Sequence, residues 1–210
     1  DNATSKKTTL ERNIVEQLKK VKSEAQLARE ARAKKIFAGR EYDKVPRAAA
    51  AVKAGQLGRA YKYCEPYAKR EDERGEQATS LMGSIESLAN EMFDKVDRNK
   101  TESPVKAFAM VQEMQKAFAG TDFAKTASEH LRDMMRDKEF QASMKAEKEY
   151  LVIAGALGKL PPRPDTLQQL EAWQKANKSA ITLITRRADL FKKKYPDSPY
   201  TAHRMFRLAN

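Results

Sequence analysis

Few side chains in this sequence are of a type that makes or breaks bonds. The only histidines are His130 and His203, and the only cysteine is Cys64. His130 lies in Ser128-Glu129-His130-Leu131-Arg132-Asp133, where His and Asp three apart share a helix face. A polar pair is open to them, but no His-Glu-x-x-His and no second nearby His accompanies it, as a zinc centre would require. Both histidines therefore read as surface residues. Cys64 falls on an apolar stripe between Tyr61 and Tyr67/Ala68 and reads as a buried structural thiol. One Cys excludes an internal disulfide framework and a Cys-x-x-Cys redox pair. Gly55-Gln56-Leu57-Gly58 lacks the Lys-Ser/Thr that holds a nucleotide phosphate. No set of nucleophile, base and metal ligands emerges. The expectation is a non-enzyme with no catalytic residues, no cofactor and no metal site.

Two constellations point instead to binding. Tyr61, Tyr63 and Tyr67 interleave with Lys62, Lys69 and Arg70, aromatic faces beside cations, which suits an extended partner chain. The plainer reading puts Tyr61 and Tyr67 partly in the core and leaves the cations as a solvated edge. Charge supplies the second constellation. The chain holds 41 Lys+Arg against 29 Asp+Glu, a net +12. Residues 1–53 are net +7 and residues 161–210 net +6, whereas 54–100 is −1 and 101–160 is 0. Lys19, Lys20 and Lys22 near one end, and Arg186, Arg187, Lys192, Lys193 and Lys194 near the other, are candidate contacts for a polyanion. If the two ends meet, they form one basic surface; the alternative is that the charge serves solubility.

These side chains must be positioned by helices. Ala, Lys, Glu, Leu, Met, Gln and Arg dominate, and no stretch alternates with period two or carries an Asn-Gly or Asp-Gly hairpin turn. Thr8 or Thr9 caps a first helix, with Leu10, Ile14, Leu18, Val21, Ala25 and Ala28 at spacings of three and four and a stop at Gly39. Pro46 opens a short second helix through Lys53, and 54–58 reads as a turn. A third helix carries Leu57, Tyr61 and Cys64 until Pro66 kinks or ends it. A long helix runs from about Asp72 to Val96, with Asp97–Thr101 as a polar loop. Ser103-Pro104 starts the next, with Ser as the cap. Gly120-Thr121 separates it from a helix bearing Phe123, Ala127, Leu131 and Met134. A further helix begins at Asp137 or Lys138 and breaks down at Gly155–Gly158. After the extended Leu160-Pro161-Pro162-Arg163-Pro164 connector, Thr166 caps a helix with Leu167, Leu170, Trp173 and Ala176 on its core face. Ala180, Ile184, Ala188 and Phe191 continue after a break at Asn177, and Ser198-Pro199 starts a last helix. That makes about nine helices joined by short turns, an all-α fold of antiparallel hairpins.

Two turns look alike: Phe118-Ala119-Gly120-Thr121-Asp122-Phe123 and Tyr195-Pro196-Asp197-Ser198-Pro199-Tyr200, each followed eight residues on by Leu131 or Leu208. Lys194-Tyr195-Pro196-Asp197-Ser198-Pro199-Tyr200 resembles the Tyr-Pro turn of tetratricopeptide-like repeats in bacterial envelope proteins, and Gly58-Arg59-Ala60-Tyr61 looks like the start of such a repeat. The stretch around Phe-Ala-Gly-Thr and Asp-Lys-Glu-Phe also resembles helical regions that accompany thioredoxin-like domains in secreted bacterial proteins. The resemblance lies mainly in the 103–134 and 180–209 hairpins. It implies tetratricopeptide-like stacking and a scaffold that binds a protein or peptide, and it transfers no catalytic residue.

Three segments are expected: a basic N-terminal arm or cap over 1–53, a hairpin-repeat region over 54–160, and a C-terminal hairpin over 161–210; the alternative is that all three form one domain. Leu10, Ile14, Leu18 and Val21 either cover the open face of the end repeat or pair two chains as a homodimer. No apolar stretch reaches the roughly 20 residues of a membrane span. The opening Asp1-Asn2-Ala3-Thr4 and the single Cys fit a chain exported to the periplasm or surface of a bacterium, with the cytoplasm as the alternative. The function expected is a non-enzymatic binding scaffold, and its rival is a basic module that binds nucleic acid or another polyanion.

Overall fold

The structure, a computed structural model, describes residues 24–202. Among them it contains nine α-helices and no strand. The helices are α1 (Glu24–Phe37), α2 (Pro46–Lys53), α3 (Leu57–Cys64), α4 (Glu73–Glu102), α5 (Pro104–Ala117), α6 (Asp122–Arg136), α7 (Lys138–Leu157), α8 (Leu167–Ala176) and α9 (Lys178–Lys194). A single 3-10 turn, Pro199–Ala202, follows. Among the described residues no helix is long and apolar enough to cross a membrane.

Most boundaries fall where the local chemistry places them. Pro46 is the first residue of α2, where its missing N–H costs nothing. The third helix stops at Cys64, two residues before Pro66. Asp137 caps α7, its Oδ1 accepting the N–H groups of Glu139 at 2.9 Å and Phe140 at 3.0 Å. Gly120 turns the chain between α5 and α6 at φ +85°, a conformation that side chains disfavour.

Three local expectations are corrected. Asp97–Thr101 is helical, so α4 runs on to Glu102. Nothing in that stretch breaks a helix, and the Lys100–Asp97 pair at 2.7 Å and the Asn99 side chain on the Lys95 carbonyl at 2.6 Å bind the last turns together. Gly58 lies inside α3, which begins at Leu57, rather than closing the turn before it. Ser103 is the residue just before α5, as expected, and its hydroxyl donates to Glu147 of α7. Finally, α8 buries no residue: Leu167 is 82% exposed, and Trp173 is half-buried with its indole N–H donated to the Pro161 carbonyl at 3.1 Å. A ten-residue helix following a proline connector is held there by local bonds, so Trp173 does not anchor a core.

The described residues fall into two compact units, 24–92 with 113–126, and 93–112 with 127–202. In the first, α2 packs on α3, with Val52, Leu57, Ala60 and Cys64 buried. Gly58 is a site of close backbone approach: a Cβ there would lie 2.4 Å from the Ala119 carbonyl oxygen. The described part of the first helix buries Ala33 and Ile36 in its own unit, and Arg32 pairs with Glu113 at 2.6 Å. Leu10, Ile14, Leu18 and Val21, the proposed cap or dimer seam, lie outside the described residues.

In the second unit, α9 packs on α7. Ala146, Ile153, Ala188 and Phe191 form a buried cluster, bordered by Tyr150, Ile184, Tyr195 and Tyr200. Deeper in α7 lies Glu147, only 5% exposed. Its carboxylate accepts the Val105 N–H at 2.7 Å and the Ser103 hydroxyl, and so closes the N-terminus of α5 from another helix.

Candidate functional site

The tyrosine constellation lies in the first unit, on α3 and the turn after it, and its side chains are largely engaged. Tyr61 donates its hydroxyl to Glu86 at 2.6 Å and meets Phe123 edge-on at 6.1 Å. The Glu86 hydrogen bond, with burial behind it, pushes the Tyr61 phenol up to about 12. Arg74 lies 3.7 Å from the centre of the Tyr67 ring, and Arg59 at 6.0 Å from that of Tyr63. Arg70 pairs with Asp72 at 2.5 Å. Lys62 is exposed, with its ammonium over Gly120. Tyr61 and Tyr63 stand about 200° apart around a helix, so the three rings do not form one open face. Cys64 is fully buried, and burial raises its thiol to about 11, as a structural cysteine requires.

His130 is corrected from a surface residue to a half-buried one. Its ring lies 5.3 Å from that of Phe93, and its Nδ1 is buried without a hydrogen-bond partner. His203, Lys19, Lys20 and Lys22 lie outside the described residues. Among the described residues, no group of three or more His, Cys, Asp or Glu is placed to hold a metal ion.

The C-terminal basic set is gathered on one helix. Arg186, Arg187, Lys192, Lys193 and Lys194 all lie on α9, whose core stripe is Ile184, Ala188 and Phe191. The side that α9 turns to α7 encloses a cleft of about 640 Å³. Ile153 and Phe191 form its floor, 4% and 2% exposed. Val152 and Leu190 stand on its rim, 59% and 57% exposed. Arg187, Lys193 and Lys194 supply its charge, and Glu149 is its one carboxylate. That carboxylate accepts from Lys194 and, at 2.9 Å, from the Tyr195 hydroxyl. Lys194 above all holds the Glu149 carboxyl below the usual carboxylate range, and Glu149 in turn raises Lys194. Below this pair, Tyr150 stacks on Tyr200 with ring centres 4.7 Å apart. Burial, then the charge of Glu147, raises the Tyr200 phenol to about 12.

Sequence patterning found the cations of α9 but missed the apolar rim. Part of the signal was present: Leu190, which lines the cleft, and Leu183 seven residues before it stand off the stripe that runs through Ile184, Ala188 and Phe191. Both are more than half exposed. On a helix that already buries one face, a second apolar row has no partner within its own unit. Val152 lies beside Ile153 in a continuous apolar run, where periodicity does not say which residue faces in.

The arrangement offers apolar contact and positive charge. Comparison with protein-family models, curated protein sequences and solved structures finds no match for this chain.

Proposed function

We propose that the protein is a non-enzymatic helical scaffold that binds another protein, and that the cleft between α7 and α9 is its docking surface. The observation that carries this reading is the pairing of an apolar floor, Ile153 and Phe191, with an exposed apolar rim, Val152 and Leu190, beside the cations Arg187, Lys193 and Lys194 of α9. Contiguous exposed apolar side chains mark interaction surfaces and binding grooves, whereas apolar side chains exposed singly are ordinary. The tetratricopeptide-like stacking expected of the hairpins belongs to the same proposal. It is supported by a shared detail of the two similar turns: Thr121 N–H bonds the Phe118 carbonyl at 3.1 Å, and Ser198 N–H bonds the Tyr195 carbonyl at 3.2 Å. Export to a bacterial periplasm or cell surface completes the reading, with the single buried thiol compatible with that setting.

The immobilised protein and its Val152→Asp/Leu190→Asp variant test this reading on extracts of the source cells, after circular dichroism has shown both folded. The reading expects at least one protein retained by the wild type and lost by the variant. Equal retention by both, or nucleic acid as the retained species, overturns it.

A further inference from the structure

We propose that the occupant of the α7–α9 cleft is an acidic amphipathic helix of the partner, an inference that rests on the reading of this cleft as a protein-binding surface. The charge distribution carries it. Helix α9 holds six Lys and Arg against the single Asp189, whereas the other described residues of its unit hold twelve of each sign. Among the described residues, the unit's positive excess therefore sits on the helix that walls the cleft. Lys194 is committed to Glu149. Arg187 and Lys193, which line the cleft, make no ion pair among the described residues, so carboxylates brought against them meet cations that no described carboxylate pairs.

The apolar geometry asks for a helix. Leu183 and Leu190 are seven residues apart, two turns and about 10 Å along α9. Leu190 lines the cleft, Val152 faces it from α7, and Leu183 extends the apolar row along α9 beyond it. A third helix laid along this pair, with apolar anchors at i, i+4 and i+7, sets its outer two side chains against Leu183 and Leu190 and turns the one between them toward the cleft. A second copy of this chain would bring like charge to like charge. A bilayer surface touches Leu183 and Leu190 but does not reach Ile153 and Phe191 in the recess. Nucleic acid finds cations here but no exposed aromatic ring on which to stack a base.

The test is a displayed library of helical peptides with apolar residues fixed at i, i+4 and i+7 and flanks randomised over Asp, Glu, Asn, Gln, Lys and Arg. It is panned on the full chain and on the Val152→Asp/Leu190→Asp variant, with phosphatidylglycerol vesicles assayed alongside. The proposal expects flanks rich in Asp and Glu on the wild type alone. It also expects an affinity about tenfold weaker for a selected peptide on Arg187→Glu/Lys193→Glu, and weaker again at raised salt. Enriched peptides with neutral or basic flanks that still need Leu190 overturn the acidic occupant and leave the protein-binding reading standing. No enrichment on the wild type overturns this proposal; if the vesicles then bind through Leu190, the protein-binding reading falls with it.

Discussion

The carboxylate of Glu147, buried on α7, accepts the backbone N–H of Val105 at 2.7 Å, two residues into α5 and 42 positions earlier in the chain. A helix N-terminus carries unsatisfied N–H groups and partial positive charge, and this carboxylate answers both. The Ser103 hydroxyl bonds the same carboxylate, and Tyr200 lies within range of its charge. Replacing Glu147 by Ala leaves those donors buried without acceptors. The expected cost is about 2–3 kcal/mol in urea denaturation, the range for hydrogen bonds to a charged group. A loss below about 0.5 kcal/mol, the scatter of ordinary surface substitutions, would show that the contact does not hold the helices together.

Gly58 and Gly83 make a paired test of packing. A Cβ on Gly58 meets the backbone of Phe118 and Ala119 within 2.6 Å, where no side chain can give way. Gly58→Ala should therefore destabilise by about 1–3 kcal/mol, as overpacking does. Gly83 is exposed in the middle of α4, and a Cβ there meets nothing. Gly83→Ala should stabilise by up to about 1 kcal/mol through helix propensity alone. Thermal melts of the two variants should move in opposite directions.

Cys64 gives a pH dependence with a definite sign. Burial raises the folded thiol from its ordinary 9.0 to about 11. The unfolded chain loses this proton first, so the contribution is whole below pH 9 and declines as pH rises from 9.0 towards about 11. Comparing wild type with Cys64→Ala in denaturant from neutral to alkaline pH isolates that slope, which the variant should lack. At neutral pH the native thiol should resist a disulfide reagent until denaturant is added.

Trp173 should behave as a surface residue tied by one bond. A core Trp truncated to Ala costs about 3–5 kcal/mol. Here the loss is the indole hydrogen bond to Pro161 and part of one face, so Trp173→Ala should cost about 1 kcal/mol. Because this is the chain's only Trp, its emission reports α8 alone. It should be red-shifted and open to quenching by acrylamide in the folded protein.

The helices were legible in the sequence wherever a local residue type decides: Pro46, Pro66, Gly120 and Asp137 each mark a boundary that the structure keeps. The failures come from distant partners. Nothing near Ser103 announces that its hydroxyl serves Glu147, since the two are 44 residues apart. The exposure of Leu167 was equally hidden, because a regular stripe shows that a helix has an apolar face and not that a neighbour covers it. The division into two units cuts through α4, α5 and α6, helices with no Gly or Pro at the boundary to mark it. At the candidate site, charge was legible as composition along α9. The cleft was not, because its floor and rim come from Val152, Ile153, Leu190 and Phe191 on two helices whose pairing only the fold creates.

Photo-crosslinking from single positions tests the central claim most directly. A photoreactive residue is placed in turn at Leu190, at Val152 and at Leu167, which is the most exposed of the three but lies outside the cleft. The proteins are irradiated in the source cells. The account predicts discrete protein adducts, of one shared mass, from Leu190 and Val152 and none from Leu167. Equal labelling from all three positions, or adducts from Leu190 that contain lipid or nucleic acid in place of protein, would contradict it.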